Sequence, residues 1–554
     1  MEKKIKVTYR GFETLEFDEG VTFKEISEKF KHNYNYDILV AKVDNDIVDL
    51  SETLKKKCSI DFYDRSSSTG NEVYSKSAIF ILLLAAKNVL GEDIDILVDH
   101  SMDNGVYCKV TGVSLTKSLL QDVYDEMMQI VRDDYIYTKI SVSRIDAIKY
   151  FKKLNKLDKV NVLKYISNTY INLYRINDMY DYFHGKLAYS TSQINDFKLT
   201  LVNKNGFVLS VPDILNPECT LDYVFHEKVF NKFEEYGEWA KVLGLENASD
   251  LNQAVSHAKV CELVNLAEAY YDSQLAKIAD EIYNSNRKIK LVLIAGPSSS
   301  GKTTTSKKLD IYLRSKGFAT HPIALDNYFT DISKRPLDEN GNPDFESIRA
   351  IDVELFNKNL SDLLDGKKVN LPTFNFVLGK REYKGNSLQL GEKDIIIVEG
   401  LHALNDELTM SINKSQKYKI YISPLTQMNI DNHNYIHTSD VRKLRRIIRD
   451  SKTRGHGAKE TLEMWPSIKN GERENIFKFQ DSVDTVINSS LIYEIGVLKT
   501  YVEPLLFNVS EEDPEYPEAL RLINFLRNFL PIPSDDIPSN SVLREFIGGS
   551  CFKD

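Results

Sequence analysis

The chain has 554 residues, so we expect several domains of about 100–200 residues each. Its composition, 42% hydrophobic and 27% charged, is that of a globular protein and excludes a largely disordered one. A formal net charge of -10 argues against a protein that coats nucleic acid non-specifically, because phosphate binding needs local Lys and Arg.

The five cysteines contain no C-x-x-C pair, so the sequence predicts neither a disulfide framework nor a structural zinc site. The N-terminus lacks the apolar run of a signal peptide. The longest apolar run, residues 78–86, is shorter than the roughly 20 residues that cross a bilayer. We therefore expect a cytoplasmic protein without a membrane partner, in which that run forms a buried helix.

The first predicted elements form a small α/β module over residues 1–63. Residues 3–17 alternate as two strands around a turn at Arg10-Gly11, residues 23–30 have helical spacing, and two more strands surround the polar turn 44–46. The polar residues 64–72 are typical of a linker.

Residues 213–287 are predicted to be a helical connector, because apolar residues between 271 and 282 recur every three or four positions. Residues 288–506 alternate between buried strands and helices. The predicted fold class is therefore a multidomain α/β protein, in which residues 288–506 form a parallel sheet covered by helices on both faces. Residues 507–554 are predicted to be a packing tail around one helix.

The stretch IAGPSSSGKTTT carries the pattern G-x-x-x-x-G-K-[ST] between a predicted buried strand and a predicted helix. Glycines let backbone N–H groups turn toward phosphates, and the helix N-terminus adds the positive end of its dipole. The alternative, an accidental Gly/Ser-rich turn, is disfavoured by the flanking elements. The pattern predicts that the phosphates of a nucleoside triphosphate are bound by Gly296, Ser298, Ser299, Ser300, Gly301, Lys302, Thr303 and Thr304.

Two further roles follow from this loop. Lys302 is expected to bridge the β- and γ-phosphates, and Thr303 to offer its hydroxyl to Mg²⁺. Glu399 follows a buried strand that ends at the same sheet edge, so we expect it to hold or orient the metal. The alternative for Glu399 is a solvated loop residue.

Asp326, in IALDNYF, is predicted at the carboxyl end of a neighbouring strand. There it can accept the proton of an acceptor hydroxyl that lies in line with the γ-phosphate. On position alone, a role as cap of the next helix or turn is an equal alternative.

A series of arginines, Arg442, Arg445, Arg446 and Arg449, recurs at three- and four-residue spacing on one side of a predicted helix. Several converging guanidinium groups suit the spread charge of a transferring phosphoryl group. The alternative is a solvated charged face that pairs with acidic neighbours such as Asp450.

Four motifs occur in order, GPSSSGKTTT, LDNYF, FESIRAIDVELF and VEGLHAL, followed by RRIIRDSKTRG. With them, residues 288–500 resemble the uridine kinase and phosphoribulokinase family of P-loop kinases. The resemblance implies ATP and Mg²⁺ as cofactors and Asp326 as the catalytic aspartate. It also implies that Arg449 and Arg454 contact the ATP phosphates and that Arg446 lies near the acceptor sugar.

The resemblance departs from the family in the acceptor pocket. Glu346 stands where uridine kinases hold the ribose hydroxyls with an Asp. Phe374, Gly379 and Met464 stand where the family's base-contacting Tyr, His and Gln would be. Phe374 can still stack on a base, but the missing polar groups leave the acceptor open, because such groups decide base preference.

The N-terminal residues carry a second resemblance, through YSKSAIFILLLAAKNVLG, DHSMDNGVYCKV and YDYFHGKLAYSTSQINDFKL. Residues 1–63 resemble a TGS domain, and residues 64–212 resemble the editing domain of threonyl-tRNA synthetases. The positions of that family's His, His, Cys and His are Tyr74, Ala78, Phe183 and Leu187, and only Asp181 is kept. Without those groups we expect the fold to be kept and the editing activity to be lost.

The leading hypothesis is a cytosolic ATP-dependent kinase of a nucleoside 5′-hydroxyl, with Asp326 and Lys302 as the catalytic residues. A kinase of another hydroxylated metabolite, such as a sugar phosphate, is one alternative. An RNA- or ribosome-associated regulator, in which the N-terminal modules bind RNA and the ATPase is a switch, is another. The expected partners are ATP, a small acceptor and further copies of the chain in a homo-oligomer.

Overall fold

The structure, a computed structural model, describes residues 4–102, 105–336, 347–375 and 378–552. Its first sheet has the order β2-β1-β5-β3-β4. The strands are β1 (Lys4–Tyr9), β2 (Glu13–Asp18), β3 (Val40–Val43), β4 (Asp46–Asp49) and β5 (Cys58–Tyr63), with helix α1 (Phe23–Phe30) before β3. The strands, the helix and the turns predicted for residues 3–63 are confirmed.

The next part combines helices with two antiparallel sheets, ordered β11-β12-β7-β6 and β10-β9-β8. The helices are α2 (Ser68–Leu90), α3 (Lys117–Asp133), α4 (Arg144–Lys153) and α5 (Leu157–Tyr165). The strands are β6 (Asp95–Met102), β7 (Gly105–Thr111), β8 (Thr138–Ser143), β9 (Tyr170–Ile176), β10 (Met179–Asp181), β11 (Lys198–Asn203) and β12 (Gly206–Ser210).

Helix α2 shows that one prediction from the sequence is wrong and that another is right. Because Ser67 caps α2 through the amide of Gly70, the predicted linker 64–72 is wrong over its second half. By length and composition α2 is the one helix of the described residues that could cross a membrane, and 67% of its most apolar window is buried inside the protein. The run 78–86 is buried throughout, as expected for a core helix.

Three helices follow, α6 (Glu227–Leu243), α7 (Ala248–Ser256) and α8 (Val260–Tyr283). Residues 213–226, all of them described, form no helix, so the predicted helical connector begins later than residue 213. Tyr271, on the buried face of α8, places its hydroxyl 2.5 Å from the hydroxyl of Thr305 on the next helix. The connector therefore packs directly against the following part of the chain.

That part contains a parallel five-stranded sheet with the order β14-β19-β13-β20-β21. Its strands are β13 (Leu291–Ala295), β14 (Ala319–Ala324), β19 (Asp394–Glu399), β20 (Lys417–Ser423) and β21 (Thr485–Asn488). Four short strands form two hairpin-like pairs beside it: β15 (Val369–Asn370), β16 (Thr373–Asn375), β17 (Lys380–Glu382) and β18 (Ser387–Leu388).

Helices cover both faces of this sheet. Residues that alternate along its strands face opposite sides and belong to two different hydrophobic cores. In β13, Val292 and Ile294 pack in one core and Leu291 and Leu293 in another. The first core includes α9 (Lys302–Ser315), α11 (Thr438–Thr453) and α13 (Glu494–Leu506), and the second includes α10 (Val353–Leu364) and α6. The predicted α/β fold class is confirmed.

The remaining helices are α12 (Ala458–Asn475), α14 (Tyr516–Leu526) and the short α15 (Arg544–Ile547). The predicted helix of the C-terminal tail is α14. Val542, Leu543 and Phe546 of the tail are buried. The tail also reaches Gly301, in the loop between β13 and α9, which the sequence did not predict.

Candidate active site

The loop between β13 and α9 has the geometry that its glycines allow. A Cβ on Gly296 would meet the carbonyl oxygen of Ile422 at 2.0 Å, so the loop lies tight against β20. Gly301 has φ +85° and is the N-cap of α9. Ser299 takes a left-handed φ of 60°, a strained conformation of the kind that clusters at functional sites.

The loop presents buried polar groups toward the sheet edge. Within the described residues, the hydroxyls of Ser299 and Ser300 are buried without a hydrogen-bond partner. Lys302 Nζ donates to the carbonyl oxygens of Gly296 and Pro297, at 2.9 and 3.2 Å. Burial lowers the pKa of Lys302, while the neighbouring carboxylates oppose that shift. Buried donors around a lysine are what a phosphate group requires of such a loop.

Thr303 and Glu399 meet at the next strand. Strand β19 pairs with β13 so that Glu399 lies opposite Ile294, and the Thr303 hydroxyl donates to Glu399 Oε1 at 3.2 Å. Burial raises the pKa of Glu399 to about 7, and the charges of Asp326 and Glu545 act in the same direction. A hydroxyl beside a carboxylate among further negative charges fits a hard divalent cation.

Asp326 lies in the 3-10 helix Leu325–Tyr328, directly after β14. That short helix has no side-chain cap, so the capping alternative for Asp326 is not seen. The surrounding protein raises the pKa of Asp326, and the charges of Lys302, Arg454 and Arg335 oppose the shift. Asp326 therefore lies within electrostatic range of Lys302, at the start of α9, and of Arg454, directly after the arginine-rich helix.

Asp450 gathers the arginines that the resemblance assigns to the lid. Its buried carboxylate lies 3.0 Å from Arg446, 2.8 Å from Arg449 and 3.7 Å from Arg454. Arg446 Nη1 also donates to the Ser298 hydroxyl at 2.6 Å. The arginines are therefore held beside the loop by one anion, and they do not form a solvated face.

The other two arginines of α11 support the loop backbone. Arg442 Nε donates to the carbonyl oxygen of Ser298 at 3.0 Å, and its guanidinium pairs with buried Glu472. Glu472 Oε1 in turn accepts from the Ser298 amide at 2.7 Å. Arg445 is fully buried, pairs with Glu494 at 2.7 Å and donates to the Ser299 carbonyl.

The acceptor side is only partly described. Glu346 lies outside the described residues. Phe374 is buried and meets Phe329 edge-on, with ring centroids 5.7 Å apart. Arg335 lies over both rings, at 4.5 Å from Phe329 and 5.0 Å from Phe374. The side of the site near Asp326 therefore contains an aromatic pair and a cation.

The positions of the synthetase's editing groups are occupied by core side chains. Tyr74, Ala78, Phe183 and Leu187 are buried in one apolar cluster. Asp181 is buried as well, 2.9 Å from Lys159 and 2.5 Å from His433. This geometry fits the expected loss of the editing chemistry.

Three carboxylates lie at or near the phosphate loop, Asp450, Glu472 and Glu545, and the sequence pointed to only one of them. Glu545 Oε2 accepts from the Thr304 amide at 3.0 Å. Only Asp450 lies within a recognised motif, where it was weighed as a partner of the arginines. The other two reach the loop through tertiary contacts, for which the local sequence carries no signal.

Comparisons with known proteins agree with this geometry. The model of the phosphoribulokinase/uridine kinase family matches residues 291–491. A uridine kinase from Halobacterium salinarum is 30% identical over 175 residues, which are 31% of this chain and 68% of that protein. The chain belongs to the phosphoribulokinase/uridine kinase family. A uridine kinase from Staphylococcus aureus strain JH9, another similar relative, is 30% identical over 32% of this chain and 76% of that protein.

The N-terminal part is similar to a different enzyme. A threonine–tRNA ligase from Acetivibrio thermocellus is 26% identical over 200 residues, which are 36% of this chain. The match spans only 31% of the ligase's length. The two similarities concern different parts of the chain.

Solved structures align mainly over their own full length. One described as a possible uridine kinase from Bacillus stearothermophilus is 18% identical, and the alignment covers 39% of this chain and 97% of that chain, with a TM-score of 0.24. A putative fructose transport system kinase from Silicibacter sp. TM1040 is 15% identical over 39% of this chain and 97% of that chain, with a TM-score of 0.28. Scores this low do not by themselves establish a common fold.

Proposed function

We propose that this chain is an ATP-dependent kinase that transfers the γ-phosphoryl group to the 5′-hydroxyl of a nucleoside. The observation that carries the proposal is the meeting of Lys302, the Thr303–Glu399 pair and Asp326 at one edge of the parallel sheet. Membership of the phosphoribulokinase/uridine kinase family supports the general reaction. The nucleoside acceptor and a cytoplasmic location are parts of the proposal.

In this reaction the loop amides and Lys302 bind the phosphates of ATP and hold the γ-phosphoryl group in line with the acceptor. Asp326 accepts the proton of the acceptor hydroxyl as its oxygen bonds to the γ-phosphorus and the bond from that phosphorus to ADP breaks. Thr303 and Glu399 would hold Mg²⁺, which neutralises part of the phosphate charge when bound. Arg449 and Arg454 stabilise the negative charge on the transferring group.

A kinase of an anionic acceptor, such as a sugar phosphate, is the second candidate. The observation that favours it is Arg335, a buried cation stacked on Phe329 and Phe374 within electrostatic range of Asp326. A guanidinium beside the catalytic aspartate suits a phosphate or carboxylate on the acceptor. Nucleosides carry no such group, so the two candidates differ in the charge of their acceptor.

The decisive measurement is ADP release in the presence of single nucleosides and single sugar phosphates, each with and without tRNA. Release that depends on a nucleoside and ignores tRNA is expected. Dependence on a sugar phosphate would favour the second candidate. Release that responds to tRNA alone would contradict both metabolic kinases and favour an RNA-associated regulator.

The first prediction concerns the catalytic residues. Asp326→Asn should lower turnover at least roughly 100-fold, because loss of a general base commonly costs that much, while ADP binding is kept. Lys302→Ala should abolish transfer and also weaken nucleotide binding. Steady-state turnover and calorimetric ADP binding separate the two effects. Asp365→Asn, at an exposed aspartate, is the matched control, and full activity in Asp326→Asn would reject the role of Asp326.

A further inference from the structure

The C-terminal segment 541–547 is docked on the phosphate loop. Val542 packs against Gly301, where a Cβ would lie 2.4 Å from Val542 Cγ2. The guanidinium of Arg445 lies 5.0 Å over the Phe546 ring, and Lys452 Nζ donates to the Ile547 carbonyl oxygen. The segment is thereby fixed to both α9 and α11, and its apolar side chains are buried.

Glu545 is the acidic residue that this segment brings to the loop. Its Oε2 atom accepts a hydrogen bond from the Thr304 amide at 3.0 Å. Thr304 is the third residue of α9, and the first four amides of a helix have no partner within the helix. In a phosphate-binding loop these amides are donors to nucleotide phosphates. A carboxylate therefore occupies a donor that a phosphate would use.

The charge of Glu545 also acts on the rest of the site. Burial raises the pKa of Glu399, and the charges of Asp326 and Glu545 add to that rise. The same carboxylate interacts electrostatically with Lys302. Glu545 is thus close enough to affect both Lys302 and Glu399, although 241 residues separate it from Thr304.

We propose that Glu545 competes with the nucleotide for the Thr304 amide, so that it sets the affinity of the phosphate loop and binding requires its displacement. The inference rests on the proposed function only in taking this loop as the nucleotide site. Val542 and Phe546 anchor the segment on either side, so rotation of the Glu545 side chain is sufficient to free the amide. The loop residues favour nucleotide binding, whereas Glu545 opposes it. Glu545 therefore affects the affinity for the nucleotide and takes no part in phosphoryl transfer.

The test is calorimetric titration of ADP with excess Mg²⁺ into the full chain and into Glu545→Gln. The substitution keeps the size of the side chain and removes its charge. We expect the Kd of ADP to fall roughly tenfold, because the hydrogen bond to the Thr304 amide loses its charge assistance and the repulsion of like charges is removed. Glu512→Gln is the control, since Glu512 is an exposed glutamate earlier in the tail.

The opposite results are as informative. An unchanged or higher Kd in Glu545→Gln, with ADP binding to the unaltered chain, would overturn the competition and leave the kinase proposal standing. A merely structural cap of α9 would lower the thermal midpoint of Glu545→Gln without ligand and leave the Kd unchanged. Absence of ADP binding in both proteins would overturn the kinase proposal together with this inference.

Discussion

At the scale of single residues, Glu399 is the carboxylate that we propose for the metal site, and its pKa lies above the usual range of a glutamate. Burial raises its pKa to about 7, helped by Asp326 and Glu545. Hard cations bind carboxylates in their charged form, so a proton and Mg²⁺ compete for Glu399. The geometry thus predicts that metal binding at this site depends on pH in the physiological range.

The second prediction measures that dependence. The Mg²⁺ affinity of the chain with saturating ADP should fall roughly tenfold from pH 8 to pH 6, because Glu399 becomes protonated as the pH falls through about 7. Titration of Mg²⁺ at each pH, followed by ADP-dependent calorimetry or fluorescence, provides the measurement. Glu399→Gln should bind Mg²⁺ weakly at both pH values. A wild-type affinity that does not change with pH would contradict the assignment of Glu399.

The raised pKa of Glu399 also predicts how the stability of the fold changes with pH. Because the pKa of Glu399 in the folded chain lies above the value of about 4.3 expected in the unfolded chain, ionisation of Glu399 costs stability. That cost is absent below about pH 4 and accumulates as the pH rises to about 7. Glu399→Gln should therefore be at least as stable as the unaltered chain at pH 8, by thermal unfolding without ligand.

The residues that sequence reasoning placed at the site lie in short motifs at the ends of strands. Lys302 and Asp326 were predictable because a buried strand fixes where the next few residues lie. Glu472 and Glu545 were not, since each reaches the loop through contacts with residues 174 and 241 positions away. Only packing of the whole chain creates those contacts, and no local pattern reports them.

At the scale of elements, α11 shows why a charge pattern alone was ambiguous. The arginine spacing predicted one cationic side of a helix, but ten of the sixteen residues of α11 are buried, so its buried arginines need partners. Arg442 and Arg445 bind the loop carbonyls, whereas Arg446 and Arg449 pair with Asp450. The helix itself was predictable, but how its arginines divide among their partners required the tertiary structure.

The third prediction tests Asp450 as the anchor of these arginines. Asp450→Asn keeps the size of the side chain but leaves Arg446, Arg449 and Arg454 without their shared anion. We expect turnover to fall roughly 10- to 100-fold through misplaced guanidinium groups, with a smaller effect on the KM for the acceptor. Steady-state kinetics check this.

The control for Asp450 is Glu463→Gln, at an exposed position of α12. Because removing one partner of a buried ion pair costs about 3–5 kcal/mol, Asp450→Asn should also unfold at a lower denaturant concentration. Unchanged kcat in a destabilised Asp450→Asn would show that Asp450 stabilises the fold without positioning the arginines for transfer.

At the scale of the whole molecule, the two halves of the chain meet at Arg521 of α14. Its guanidinium lies 2.6 Å from Asp440 of α11, 2.7 Å from Glu518 and 3.6 Å from Glu72 of α2. Helix α2 belongs to the synthetase-like part, and α11 carries the arginines of the active site. The Arg521 side chain, in the tail, therefore contacts both the synthetase-like part and the kinase-like part of the chain.

The last prediction is that Arg521→Met destabilises the junction and makes it sensitive to acid. Arg521 and Lys443 hold the pKa of Asp440 well below its usual range, although burial alone would raise that pKa. Pairing with basic side chains likewise lowers the pKa of Glu72 to about 2. The pairing therefore stabilises the fold above about pH 4 and is lost as the pH falls toward 2. Removing Arg521 leaves Asp440 and Glu518 with Lys443 alone, and Glu72 with Lys76 alone. We therefore expect a loss of up to about 3–5 kcal/mol at pH 7 that shrinks below pH 4. Denaturant unfolding at several pH values measures this loss of stability. The control is Arg527→Met, at an exposed arginine that donates a hydrogen bond to Asn524. Equal effects of both substitutions, or a loss that does not change with pH, would show that the Arg521 cluster does not hold the two halves together.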